Sequence, residues 1–318
     1  MAAETCVSVS PAEVAEAAAI LDVAGDGDGE AKGQIVVVDD DSDSEPNPYE
    51  YRVFFEWLWD DYCKIDDVTR GPTFRTPGAR IFPCVEVYSC RVIDLTGGLE
   101  WPINVFGFVA VRDGLDRKRN YIFNRPRGDA QTLTTEDPSF ILTGPIRAIN
   151  CSQRIEFEID LKVRGKTQSD KDKVLSARYI VYETMGPNSI VGQAAIEVRV
   201  VQGSISGFRG RFVARTDGYD DDVVLVDSSK DGSVLAVADD GVIKLARSVA
   251  VVESTGVLNL HAIITRNDGS SSGDDGVGVA AEDHAEFAAQ RFESSCRTLD
   301  LGFCKMLATV SWSMIPLI

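Results

Sequence analysis

Between Trp101 and Arg125 the sequence WPINVFGFVAVRDGLDRKRNYIFNR sets β-branched and aromatic residues at Val105, Phe106, Phe108, Val109 and Val111 before an Asp113-Gly114 turn signal. A returning run follows at Tyr121-Ile122-Phe123. This is the pattern of a β-hairpin. The same grammar predicts strands over 85–93, 105–111, 120–123, 154–163, 174–182, 194–202, 211–214, 223–226, 241–245, 249–252, 258–265, 285–292 and 305–312. Alternation is cleanest in Ile155-Glu156-Phe157-Glu158-Ile159-Asp160-Leu161-Lys162-Val163, which predicts one buried face and one wet face. Many short strands separated by turn signals argue for an all-β, antiparallel, sandwich-like fold.

The pattern repeats. Phe208 to Asp227, FRGRFVARTDGYDDDVVLVD, lies over VFGFVAVRDGLDRKRNYIFN, matching Gly107 with Gly210 and Arg112 with Arg215. One inserted residue brings Asp113-Gly114 over Asp217-Gly218 and Asp116 over Asp220. Downstream, SFILTGPIRAINCSQRIEFEIDL from Ser139 corresponds to DGVIKLARSVAVVESTGVLNLHAI from Asp240. Two related β units are therefore expected, about 84–182 and 194–318, within a β domain spanning 84–318.

Ahead of that domain the pattern is lost. Residues 1–48 are rich in Ala, Gly, Asp, Glu and Ser, too little apolar surface to offset ordering entropy, and read as a disordered acidic tail. Within it, Ser10-Pro11-Ala12-Glu13 is a helix-start signal that predicts a transient helix through Ile20-Leu21, ended by the glycines from Gly25. Residues 49–83 hold a dense aromatic cluster, including Phe54, Phe55, Trp57 and Trp59, and then a Pro- and Gly-rich loop. The cluster reads as an anchor that packs onto the β domain.

Charge follows this division. The net charge is -18, and residues 1–50 carry thirteen Asp and Glu against Lys32, so -12 of it belongs to the tail. The remaining 37 acidic and 31 basic residues leave -6 for everything after. An acidic tail without a basic block elsewhere argues against nucleic-acid binding. No apolar run approaches the ~20 residues of a membrane-spanning helix. Seven cysteines at irregular spacing without a CxxC pair do not make a disulfide framework. No secretory signal is visible, so the cytoplasm or nucleus is expected.

One tail segment carries a binding signal. Ile35, Val36, Val37 and Val38 run directly into Asp39, Asp40 and Asp41. Four β-branched residues abutting acids resemble a SUMO-interacting motif, which binds by adding a strand to its partner's sheet edge. Ser42 and Ser44, set among acids, read as phosphorylation sites that would add negative charge beside it. The other readings are an isolated strand that docks on this protein's own sheet edge, or a short run without a role.

GGLEWPINVFGFVAVRDGLDRKRNYIFNRPRGDAQTL, DPSFILTGPIRAI, FEIDLKVRG, GFRGRFVA, DDGVIKLARSVAVVE and CKMLATVSWS, taken in order from about Tyr51 to the end, resemble a grass-expanded plant domain of unassigned function. That domain is found fused to ribosome-inactivating domains in some jasmonate-induced proteins. The resemblance implies a mostly β module in plant stress biology, and it carries no catalytic residues over. The toxin domain has no counterpart in the sequence.

Candidate chemistry is sparse. Asp113 and Asp116 in the first unit and Asp217, Asp220 and Asp222 in the second could place oxygen ligands for calcium at loop ends, or simply form turns. His261 and His284 occur without an HExxH pattern, which argues against a catalytic zinc. GxSxG, P-loop and GxGxxG signatures are absent. Glu286 to Phe292 bears a faint likeness to a ribosome-inactivating helix but lacks the flanking aromatics. Cys84 and Cys90 read as small buried hydrophobes, and Arg112 and Arg215 as partners of the turn aspartates. The expected function is a non-catalytic protein-interaction module of plant stress or defence with no cofactor. The alternatives are a calcium-dependent binder or enzyme using the Asp-rich loops, or a regulatory partner of a ribosome-inactivating domain.

Overall fold

The structure, a computed structural model, describes residues 19–25, 32–37, 67–69, 83–95, 97–151, 154–167, 170–182, 191–203, 207–217, 221–229, 233–266, 279–290 and 293–313, with backbone alone for the first two stretches. Regular structure among them is almost entirely strand. The helical element is a single 3-10 turn at Arg127–Asp129. No helix among the described residues is long and apolar enough to cross a membrane. The chain divides into two compact units, residues 1–71 with 82–189 and 317–318, and residues 72–81 with 190–316.

In the first unit the strands are β1 (Ala19–Gly25), β2 (Lys32–Val37), β3 (Cys84–Val92), β4 (Ile103–Arg112), β5 (Asn120–Arg125), β6 (Gln131–Leu133), β7 (Ile149–Asn150), β8 (Ile155–Val163) and β9 (Lys173–Tyr182). They form two antiparallel sheets, β2-β1-β3-β7 and β5-β4-β8-β9, with β6 also on β4. One apolar core draws on both sheets, with Val85 and Val87 from the first and Val105, Phe123, Phe157 and Leu161 from the second. Alternation along β8 puts Ile155, Phe157, Ile159, Leu161 and Val163 into that core, each such side chain contributing roughly 1.5–3 kcal/mol on burial. The other face of β8 departs from the wet face that alternation predicts, because Glu156 and Glu158 are only 4% and 9% exposed.

The second unit holds β10 (Val191–Gln202), β11 (Phe208–Thr216), β12 (Val223–Asp227), β13 (Val249–Glu253), β14 (Val257–Arg266), β15 (Val279–Ala288), β16 (Ser294–Asp300) and β17 (Lys305–Ser313). Its sheets are β13-β10-β17-β16 and β12-β11-β14-β15. β3, β4, β5, β7, β8 and β9 find their counterparts in β10, β11, β12, β13, β14 and β15, with the same pairings. Gly107 pairs with Leu161 and Gly210 with Ile264, both at positive φ, and in both strands a bulge interrupts the pairing two residues on, after Val109 and after Phe212. A Cβ on either glycine would lie 2.0 Å from the carbonyl oxygen of Asp160 or Ile263, so the close approach of the neighbouring strand requires glycine.

Within the tail otherwise read as disordered, Ala19–Gly25 and Lys32–Val37 are ordered as strands, and the rest of residues 1–48 lies outside the described residues. The helix expected through Ile20-Leu21 is replaced there by β1. The register sets Ile20 opposite Val36 and Leu21 opposite Ile35, β-propensity on both sides, and β1 pairs in turn with the open edge of β3. Two other expectations change. Residues 241–245 make isolated bridges, Arg199 with Val242 and Val237 with Ile243, in place of a continuous strand. The strand expected over 285–292 begins earlier, as β15, and is followed by β16, whose sequence SSCRTLD is mostly exposed and lacks the alternation that marks a half-buried strand. The aromatic segment at 49–66, the loop at 71–82 and residues 267–278 lie outside the described residues.

Candidate functional site

Among the described residues, a dense set of ionic contacts lies at the β4–β5 hairpin end of the first unit. Arg147, just before β7, reaches under the turn: Nη1 donates to Asp113 Oδ2 at 2.6 Å, and Nη2 to Asp113 Oδ1 at 2.8 Å and Asp116 Oδ1 at 2.9 Å. Its Nε donates to Thr69 Oγ1 at 2.9 Å, and that hydroxyl donates to Asp116. The Asn150 backbone N–H donates to Asp113 Oδ2 at 2.8 Å. Thr69 is held there because its N–H donates to the Arg119 carbonyl just ahead of β5. Burial opposes charge on Arg147, but Asp113 and then Asp116 raise its pKa overall. Burial likewise pushes Asp116 up, and it is outweighed by Arg147, Thr69 and the Lys118 N–H, so that carboxyl lies below its usual range.

A second ionic group stands beside it. Glu158 of β8 accepts from Arg112 Nη2 at 3.0 Å and from Arg119 Nε at 2.8 Å, and Arg119 Nη2 engages its other oxygen. The Arg119 guanidinium also lies 4.5 Å over the Phe108 ring. Burial would raise the Glu158 pKa, yet the hydrogen bonds and charge of Arg119, then Arg112, lower it. Across the strand pair from Glu158, Tyr179 is pushed up by burial and by the Glu156 carboxylate. These carboxylates are matched by guanidinium groups, and the arrangement ties β5, β7, β8 and residues 67–69 to one turn.

The second unit keeps the frame and changes the chemistry. Gly107 over Gly210 and Leu161 over Ile264 put Arg215 at the place of Arg112, His261 at the place of Glu158 and His284 at the place of Tyr179. Arg215 Nε and Arg211 Nη2 both bind Asp222, the latter at 2.7 Å. His261 and His284 stand directly opposite on β14 and β15, ring centroids 5.5 Å apart and planes 19° from parallel. Burial lowers the His261 pKa, as do Arg215 and His284, against the pull of Asp222 and Glu282. Arg247 takes the place of Arg147; burial pushes its pKa down to about 9, and its Nε donates to the Val249 carbonyl at 3.3 Å.

The residues singled out from sequence are therefore dispersed. Asp113 and Asp116 converge on Arg147, where a calcium ion would have to displace a guanidinium. Asp222 is held by two arginines, and Asp217 accepts from the Val257 N–H at 3.0 Å. Asp220 lies outside the described residues, among which no group of three or more His, Cys, Asp or Glu is arranged to hold a metal. Arg215 does partner a turn aspartate as expected, whereas Arg112 goes to Glu158. Cys84 and Cys90 are buried, as a reading of them as small hydrophobes expects. Ile35, Val36 and Val37 belong to β2; Val38, Asp39, Asp40, Asp41, Ser42 and Ser44 lie outside the described residues. Sequence reading missed Arg147, Arg119 and Thr69, and the one signal for Arg147 was a charged residue inside the apolar run PIRAI.

A family model described as a domain of unknown function, DUF6598, matches residues 84–191 and again residues 192–310. The chain belongs to the DUF6598 family. Its two DUF6598 copies meet after the first residue of β10, and they coincide with the strand correspondence and the paired glycines. No curated protein and no solved structure matches the chain. β1 and β2 lie ahead of the first copy, while β16 and most of β17 fall within the second.

Proposed function

We propose that this DUF6598 chain is a non-catalytic interaction module that recruits a protein partner through the strand β2 and the acids that follow it. The observation that carries this reading is the position of β2. It is the outermost strand of β2-β1-β3-β7, paired on one side by β1, with no partner on its other side among the described residues. An edge strand offers a row of backbone donors and acceptors to an incoming strand. Asp39, Asp40 and Asp41 follow at once and favour a partner with basic residues beside its own open edge, the recognition chemistry of a SUMO-type modifier. Phosphorylation of Ser42 and Ser44 strengthens that match. The sequence's resemblance to a plant stress-associated domain supports a role in stress or defence, and a modifier of this kind would be met in the cytoplasm or nucleus.

The test compares the full chain with one in which Ile35 to Val38 are alanine, each titrated into a purified SUMO-type modifier. Binding by the natural chain, weakened about tenfold or more by the substitution and strengthened by phosphorylation at Ser42 and Ser44, is expected. Equal binding by both chains, or none by the natural one, removes the tail from the account.

A further inference from the structure

We infer that His261 and His284 form a two-histidine site for a divalent transition cation of the zinc, copper or nickel class on the second unit. The chain has two histidines in 318 residues. They lie on different strands, and the ten-residue β14–β15 register puts them directly opposite each other. Residues so placed have Cβ atoms about 4.5–5.5 Å apart. The rings already lie side by side, with centroids 5.5 Å apart. Imidazole nitrogens bind zinc at about 2.0–2.1 Å, and the χ2 torsion that must turn to aim both at one ion is broad and soft. The two backbones are fixed by the sheet, so a second ligand adds little ordering cost once the first has bound.

His284 is exposed and His261 half-buried, so water can complete the coordination. The charged groups facing the pair come from three directions. Arg215 on β11 opposes a cation, but it is engaged by Asp222, and Glu282 stands two residues from His284 on the same face of β15. In the first copy the equivalent positions are Glu158 and Tyr179, and the carboxylate there is clamped by Arg112 and Arg119. The site therefore belongs to the second copy alone. Imidazole selects borderline metals, so calcium is not its ligand.

The experiment titrates the full chain, at pH 7.5, with zinc chloride, copper chloride and calcium chloride in a calorimeter, beside His284→Gln and His261→Gln. The natural chain is expected to take up one zinc ion with a Kd well below ~1 mM, copper more tightly, and calcium not at all. Each substitution weakens zinc binding about tenfold or more, and zinc raises the melting temperature of the natural chain but not of either variant. Because His284 is exposed, His284→Gln keeps the fold and carries the test even where His261→Gln does not. Absence of zinc uptake, or zinc bound as tightly by His284→Gln as by the natural chain, overturns the proposal and in the second case puts the ion on a thiol such as the exposed Cys296.

Discussion

Glu158 shows how a single residue's surroundings reverse its expected role. Taken out of water alone, a carboxylate costs several kcal/mol, and that cost is met here by two guanidiniums, Arg112 at the end of the neighbouring β4 and Arg119 just ahead of β5. Asp116 is treated the same way by Arg147. Both carboxyls have folded-state pKa values below their ordinary ones, so the folded state holds fewer protons than the unfolded chain on acidification. The stability they supply is complete above the ordinary carboxylate range, near pH 4–4.5, and is lost as the pH falls through the depressed values. Urea unfolding followed from pH 7 to pH 3 should show the first unit weakening below about pH 4.5. Glu158→Gln should lower stability at pH 7 and flatten part of that slope; an unchanged slope would mean the pair contributes no linkage. The second unit, with His261 at the same place, has no counterpart to this carboxylate.

At the scale of strands, Gly107 and Gly210 are where the two copies constrain themselves alike. A methyl group at either meets a carbonyl oxygen of the next strand at 2.0 Å, at a φ that L-residues avoid. Gly107→Ala and Gly210→Ala should each cost about 2 kcal/mol or more, read as a drop in the urea midpoint of the unit that carries the change. A shift under about 0.5 kcal/mol would mean the strands can part there. These glycines were legible in the sequence because each stands five residues ahead of an arginine, Arg112 or Arg215, in two stretches that lie over each other, and the central strands were legible because alternation is local. What was not legible depends on partners far along the chain. Nothing in SSCRTLD announces β16 until β17 pairs with it, and nothing near Glu158 announces Arg119. The opposition of His261 and His284 follows from the β14–β15 register, which spans a stretch outside the described residues.

Across the whole molecule, the copies differ in where they obtain the strands that close one sheet. In the second, β17 pairs with β10 and β16 with β17, and both come from the same stretch of chain as the rest of that unit. In the first, the equivalent places beside β3 are taken by β1 and then β2, from ahead of the DUF6598 match. β3 is thus an inner strand only while the tail hairpin is in place. Without it, the backbone groups that β3 turns toward β1 lose their partners and the apolar strand becomes an open edge. Removal of residues 1–37 should therefore lower the thermal stability of the first unit and leave that of the second unchanged. Hydrogen exchange resolves the two: protection should fall along Cys84–Val92 and persist along Val191–Gln202. Equal protection of β3 in the shortened chain would show that the hairpin is an appendage to a self-sufficient sheet. Loss of protection in β3 alone would make the tail a structural part of the first copy, so that a partner drawing β2 away from β1 would also loosen the unit on which it docks.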